Sequence, residues 1–219
     1  MGTRDRIIDT AISLFNEEGT GPVSTNHIAA ALGISPGNLY YHFHNKEEIV
    51  RAIYARLRSA WEIAMTLPDR PPVVSDLRRL LEANAQIVWD YRFYYRELPA
   101  LMRKDPELAA EYRAVRRGGL ANIAALLGYF DSMGLLRMPD ETAALPELAR
   151  ICWILADFWL AFEELGDDPI GPEDLDHGVA PILRVLHPYF VESARAELAV
   201  ASPAPGEMTE GLITPELPH

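Results

Sequence analysis

Two short helices joined by a tight glycine turn constrain this chain more than any other feature. Ser24 precedes the apolar run from Asn26 to Leu32 as a helix cap does, and Gly33 ends that run after barely two turns. Ser35-Pro36 then supplies a cap followed by proline at the first helical position, where a missing N–H breaks no bond, and a second short helix runs to about Phe43. Before this pair, Arg4 to Glu18 carries Ile7, Ile8, Ala11, Ile12, Leu14 and Phe15 at helical spacing. After it, Asn45-Lys46-Glu47-Glu48 has the spacing of a capping box, and Ile49, Ile53, Leu57, Trp61 and Met65 follow at i+4 intervals along a long helix. Ile28, Leu32, Ile34, Leu39 and Phe43 can then close a small core against Ile8, Ala11 and Phe15.

Pro68, Pro71 and Pro72 mark a break, after which a helical pattern runs from Val73 to about Tyr95 and is interrupted by Pro99. Asp105-Pro106 repeats the cap-plus-proline start, and the spacing predicts a helix to about Met133 with Gly118-Gly119 as a weak point where it can kink. Residues 141–165 are the most apolar segment: 11 of the 12 residues from Ile151 to Phe162 are apolar, on every side of the wheel, so that helix requires burial on both faces. The last helical region opens at Gly171-Pro172, with Val179, Ile182, Leu183, Leu186, Tyr189 and Phe190 as its stripe and breaks or kinks expected at Pro181 and Pro188. Residues 201–219 are dominated by Pro, Gly and Glu, a composition that predicts a disordered tail. Nothing alternates with the period of a strand and no 20–50-residue repeat occurs, so the expected fold is all-α. The expected organisation is a three-helix helix-turn-helix unit over 1–45, a connecting helix over 46–66 and a helical domain over 73–200.

Charge divides along the chain. The net charge is −12, but residues 1–58 hold six basic and six acidic side chains, so the whole excess falls on 59–219. An acidic balance alone argues against nucleic acid; a neutral N-terminal segment beside an acidic remainder permits two regions with different electrostatic roles. The longest nearly apolar stretch, 12 residues containing Asp157, is too short to span a membrane, and the N-terminus has no continuous apolar run, so a cytoplasmic location without membrane attachment is expected. The single cysteine, Cys152, excludes an internal disulfide and is read as a core residue. His42-x-His44 diverge on a helix and have no third ligand nearby, Asp176-His177 reads as a loop or cap, and no catalytic or phosphate-binding motif occurs. No enzyme activity, metal or cofactor is expected.

Short helix, glycine turn and second short helix make the helix-turn-helix pattern, whose second helix enters the DNA major groove. Asn38, Tyr40, Tyr41 and His42 cannot all be buried in so small a unit, and exposed aromatics with hydrogen-bonding tips call for a partner. With Ile7 to Phe15, Glu18-Gly19, Val23-Ser24-x-x-x-Ile28-Ala29, and above all Leu32-Gly33-Ile34-Ser35-Pro36-Gly37-Asn38-Leu39-Tyr40-Tyr41-His42-Phe43-x-Asn45-Lys46-Glu47-Glu48-Ile49, the sequence resembles the TetR family of bacterial transcriptional regulators over about its first 55 residues.

The resemblance implies a homodimer, with a helical C-terminal domain that dimerises and holds an unidentified small-molecule effector. Its two N-terminal units read a palindromic operator in double-stranded DNA, and effector binding releases it as a repressor. It also implies a DNA-binding set of Thr25, Asn26, Ser35, Pro36, Asn38, Tyr40, Tyr41, His42 and Lys46. Thr25 can donate to a phosphate at a helix start, Lys46 adds a cation there, and Asn38 can pair with adenine. Relatives often carry a basic residue at the positions of Pro36 or Gly37 and a basic N-terminal arm, whereas this chain has only Arg4 and Arg6 near its start, so phosphate attraction should be modest.

Dimerisation is expected through residues 141–165 and 178–199 as a four-helix interface. For the effector, aromatic side chains with a few polar groups mark Trp89, Phe93, Tyr112, Arg116, Trp153 and Asp157, beside Tyr91, Tyr94 and Tyr95. Asp157, alone in an apolar run, can pair with Arg116, face the dimer seam or hydrogen-bond an effector. The rival reading is a helical ligand-binding or adaptor dimer that has lost DNA binding.

Overall fold

A helix of seven or eight residues does not persist alone in water, and α2 (Thr25–Leu32) and α3 (Pro36–His42) are that short. Their ends are fixed locally. Ser24 Oγ accepts from the His27 N–H at 3.2 Å, and Ser35 Oγ accepts from the Asn38 N–H at 3.2 Å. Gly33 stands between them at φ 70°, ψ 30°, a left-handed conformation where glycine has no Cβ to clash. Packing does the rest. Ile28, Ala29, Leu39 and Phe43 are buried against Ile7, Ile8, Ala11 and Phe15 of α1 (Thr3–Glu18) and Ile49, Val50 and Ile53 of α4 (Lys46–Ala64), with Leu32 and Ile34 partly buried beside them. Each fully buried Ile, Leu, Val or Phe among them contributes about 1.5–3 kcal/mol.

A computed structural model of the chain describes residues 2–139 and 143–200; the tail expected over 201–219 lies outside them. Among the described residues there are ten α-helices and one isolated β-bridge, Leu136 to Phe190. After α4 the chain runs through the proline segment to α5 (Val74–Asp90). Buried Asp76 holds that start, accepting from the Val73 N–H at 2.9 Å and from the Arg70 guanidinium at 2.8 and 2.9 Å. Then follow α6 (Arg92–Lys104), α7 (Pro106–Ser132), α8 (Ala144–Glu163), α9 (Asp176–Leu186) and α10 (Glu192–Val200).

Two apolar clusters organise these helices. One runs without interruption from α1, α2 and α3 through α4 and α6 to Trp159 and Leu160 of α8; the other joins α5, α7, α8, α9 and α10. Buried Cys152 belongs to the second, and burial pushes its thiol up to about 12.

The helical pattern expected from Val73 to Tyr95 is two helices, broken at Tyr91. Asn16 of α1 makes the break: its Nδ2 donates to the Asp90 carbonyl at 2.8 Å and its Oδ1 accepts from the Phe93 N–H at 3.0 Å. Pro99 does not interrupt as expected but lies inside α6 on an exposed position, while Tyr95, Leu98 and Leu101 bury the other face. Pro181 sits inside α9, and Pro188 lies in the short turn that separates α9 from α10.

Helix α7 continues through Gly118-Gly119, and the two glycines differ. A Cβ on Gly119 would lie 2.1 Å from Trp153 Cζ3, whereas nothing lies within 4 Å of one on Gly118. Gly118→Ala should therefore stabilise by about 0.5–1 kcal/mol through helix propensity. Gly119→Ala should destabilise by about 1–3 kcal/mol, because the overpacked indole outweighs that gain. Urea unfolding of the two variants checks the opposite signs.

Candidate nucleic-acid interface and buried polar cluster

Leu39 turns into the core, so the opposite side of α3 faces water. Pro36, Gly37 and Asn38 are exposed, Tyr40 is 58% and Tyr41 84% exposed, and His42 is half-buried. The rings are ordered against one another: Tyr40 meets His44 edge-on at 5.4 Å and Tyr41 meets His42 at 5.2 Å between centroids. Ser35 is exposed but its hydroxyl caps α3; Thr25 and Asn26 sit at the solvent-facing start of α2. These residues therefore share one end of the molecule.

Lys46 has another occupation. Its ammonium donates to the carbonyls of Thr20, Gly21 at 3.5 Å and Val23 at 2.9 Å, clamping the α1–α2 turn onto the start of α4. Burial and the nearby Lys104 charge lower its pKa. Arg51 pairs with Glu107 and Asp105, Arg56 with Asp9 and Asp5, and Arg58 with Glu62 and Glu111. Of the six N-terminal cations, Arg4 and Arg6 are the two with neither an ion pair nor a carbonyl clamp among the described residues, and Arg4 lies over the Phe43 ring at 4.9 Å.

A second constellation is buried between α4, α6, α7 and α8. Asp157 is 4% exposed, and Tyr112 Oη donates to its Oδ2 at 2.7 Å. Burial pushes its carboxyl up to about 6, against the opposing influence of Tyr112, Trp153 and the exposed Arg116. Tyr54, Tyr94 and Tyr95 stand close enough that the Asp157 charge, added to burial, raises their pKa values. Tyr54 and Tyr94 stack at 5.3 Å, and Tyr94 meets Tyr95 edge-on at 5.6 Å. Among the described residues, the three hydroxyls and the Trp159 indole N–H are buried without a hydrogen-bond partner.

The family model described as "Bacterial regulatory proteins, tetR family" matches residues 7–53, and that described as "Bacterial transcriptional repressor" matches 57–198. A TetR-family transcriptional regulator of Marinobacter aquaeolei VT8 is 31% identical, with a TM-score of 0.83, over 93% of this chain and all of that one. The chain belongs to the TetR family of bacterial transcriptional regulators. The Staphylococcus epidermidis regulator IcaR, a negative regulator of the biofilm operon icaADBC, is 46% identical over 48 residues, 22% of this chain and 26% of its own length. UidR of Escherichia coli K12 is 43% identical over 51 residues, 23% of this chain and 26% of its own length. The chain thus spans about a quarter of the length of these two curated relatives.

In this TetR-family chain the expected effector residues do not all converge. Tyr112, Arg116, Trp153 and Asp157 share the α7–α8 region, with Arg116 on the outside. Phe93 instead packs on Phe15 of α1 at 5.2 Å, and Trp89 lies under the Arg92 guanidinium at 4.9 Å. Among the described residues, no cation comes within 4.0 Å of Asp157, so it is not paired with Arg116. Sequence reasoning missed Tyr54. Its signal was a tyrosine one position along from Ile53 on the buried face of α4, where a hydroxyl needs a partner.

Two outcomes follow from these environments. Lys46→Met should lower unfolding free energy by about 1–3 kcal/mol, since the turn carbonyls lose their donor; urea unfolding reads it. Asp157 is protonated more readily in the folded chain than at its ordinary 3.8. The folded state therefore holds more protons, and stability falls as pH rises through 4–6. Between pH 5 and 7.5 the native chain should lose about 1–2 kcal/mol relative to Asp157→Asn.

Proposed function

We propose that this chain is a DNA-binding repressor of transcription that reads a palindromic operator as a homodimer in the cytoplasm and is released by a small-molecule effector. Tyr40 and Tyr41 carry this reading: two large aromatics stand in water on a helix whose core side and both ends are fixed. Such groups gain by meeting a groove, where Asn38 can pair with adenine and the Tyr and His tips can reach phosphates or base edges. Thr25, Asn26, Ser35 and Pro36 line the same end. Lys46 is left out of the contact set because its donors are engaged.

An apolar stripe on α8 supports the homodimer. Ile151, Ile154, Phe158 and Phe162 (73% exposed) recur at intervals of three and four along one side, and Leu165 (86% exposed) follows in the turn just beyond the helix. That is the second apolar face of the helix, which one chain leaves uncovered. In this region Val179, Ile182, Leu186, Phe190 and Leu198 are buried within the chain, with α10 packed on α5. The seam is therefore α8 against its copy, bordered by Pro181 and Arg184 of α9. Residues 141 and 142 of the expected interface lie outside the described residues.

The buried cluster around Asp157 is the effector site in this account. It touches both helices that carry the reading head: Tyr54 is on α4, and Tyr94 and Tyr95 are on α6. A ligand preferring one arrangement of these helices changes the separation of the two α3 helices, which must be about 34–36 Å to fit successive grooves. A coupling of about 1–3 kcal/mol changes operator affinity about 5–150-fold.

The net charge of −12 and the engagement of four of the six N-terminal cations favour the rival, a ligand-binding dimer without DNA activity. A mobility shift on the DNA upstream of its own coding region separates the two. Tyr40→Ala and Tyr41→Ala should each weaken the shift at least about tenfold, roughly 1.4 kcal/mol, with melting temperature unchanged. With Arg4 and Arg6 from each protomer as the contributing cations, the log–log salt slope should be about −3.6; a slope near zero favours the rival. Phe162→Glu should yield folded monomers by light scattering, and an intact dimer would move the seam elsewhere.

A further inference from the structure

The buried cluster contains an imbalance that the chain itself does not resolve. Asp157 is enclosed by aromatic side chains, accepts a hydrogen bond from Tyr112 and has the Trp153 indole beside it, with no cation within 4.0 Å among the described residues. A carboxylate held this way has lost its water without gaining a counter-charge, which costs several kcal/mol. Around it, the Tyr54, Tyr94 and Tyr95 hydroxyls are buried and unpartnered among the described residues, and a hydroxyl left in that state forfeits about 1–3 kcal/mol.

The missing group can be defined by what would satisfy both deficits. A neutral alcohol or phenol would engage the hydroxyls but leave the carboxylate uncompensated. A carboxylate or phosphate would place a second anion beside the first. A group bearing both positive charge and N–H donors supplies the counter-ion, and its remaining donors fall to the tyrosine oxygens, each of which has lone pairs to accept with. The stacked faces of Tyr54 and Tyr94 add attraction for a cation in a dehydrated site. The body attached to that group meets Trp153, half-buried and lying against the bare backbone at Gly119, so it is apolar or aromatic.

We infer that the effector is an organic amine, protonated at neutral pH and carrying an apolar or aromatic body, with its ammonium on Asp157 and the tyrosine hydroxyls. This rests on the effector reading of the same cluster given above. Asp157 sets the choice of charge, the three tyrosines set the requirement for N–H donors, and Tyr112 and Trp153 form the half-buried rim through which the ligand passes.

Three probes that share one skeleton test it: 4-phenylbutylamine, 4-phenylbutan-1-ol and 4-phenylbutyrate, titrated into the full-length protein at pH 7.5 by calorimetry and tryptophan emission. The amine should bind at least tenfold more tightly than the alcohol, with the butyrate weaker still. Asp157→Asn keeps the volume and can still accept from Tyr112. It should bring amine and alcohol within about twofold of each other, with native circular dichroism and gel-filtration behaviour. Tyr94→Phe should weaken the amine severalfold.

Equal or tighter binding of the alcohol or butyrate overturns the amine assignment, as does no binding by any of the three, or a preference for amine that survives Asp157→Asn. The mobility shift distinguishes this from the underlying reading. An alcohol that binds and releases DNA leaves the effector site standing and removes the amine. An amine that binds in an Asp157-dependent way without changing the shift leaves the cation site standing and removes its role as effector site.

Discussion

The side-chain amide of Asn16 is the joint on which the rest of the structure depends. It is buried at the end of α1, and it supplies a donor and an acceptor to the backbone groups left over where α5 stops and α6 begins. The same junction is reinforced twice. Arg96 of α6 donates to the Asn16 carbonyl at 2.8 Å while pairing with Glu164 after α8, and Glu97 accepts from the Thr20 N–H at 2.7 Å and from its hydroxyl. Buried polar groups that are fully satisfied fix one geometry, because any slip strands several of them at once.

That joint explains why the apolar cluster shows no seam between the helix-turn-helix end and the helices behind it. Phe15 packs on Phe93, Tyr54 on Tyr94, and the same cluster reaches Trp159 and Leu160. Helices α4 and α6 each have one part in the small N-terminal core and another in the aromatic surround of Asp157. A change in the packing of those tyrosines is therefore a change in how α1 and α4 are held, with no intervening flexible linker to absorb it. The Lys46 clamp on the α1–α2 turn acts in the same sense, tying the turn ahead of the two short helices to the helix behind them.

What the sequence made legible was local. Ser24, Gly33, Ser35-Pro36 and Asn45 act within three or four residues of themselves, and the structure uses each as a cap or turn, although Glu48 bonds the His44 N–H at 2.8 Å rather than closing a capping box on Asn45. The all-α architecture was legible for the same reason. The break at Tyr91 was not, because no glycine or proline marks it and the residue that stabilises it lies more than seventy positions earlier. Pro99 misled because α6 is held at both sides by partners distant in sequence, which outweighs one lost helical hydrogen bond. Lys46 was read as a phosphate contact because a cation at a helix start looks the same whether it faces DNA or three carbonyls. The exposed face of α3 was readable because exposure there follows from the local pattern around Leu39, whereas the cluster at Asp157 needs four helices to meet, so Tyr54 passed unnoticed.

On the reading proposed above, the outward face of α3, held rigid by these ties, recognises a specific duplex in pairs. Selection of bound sequences from a pool of random duplexes tests it most directly. The expected result is enrichment of an inverted repeat whose half-site centres are about 10–10.5 base pairs, or a multiple, apart. A pool that shows no enriched sequence after repeated rounds, or one enriched for a single unrepeated site, would contradict it.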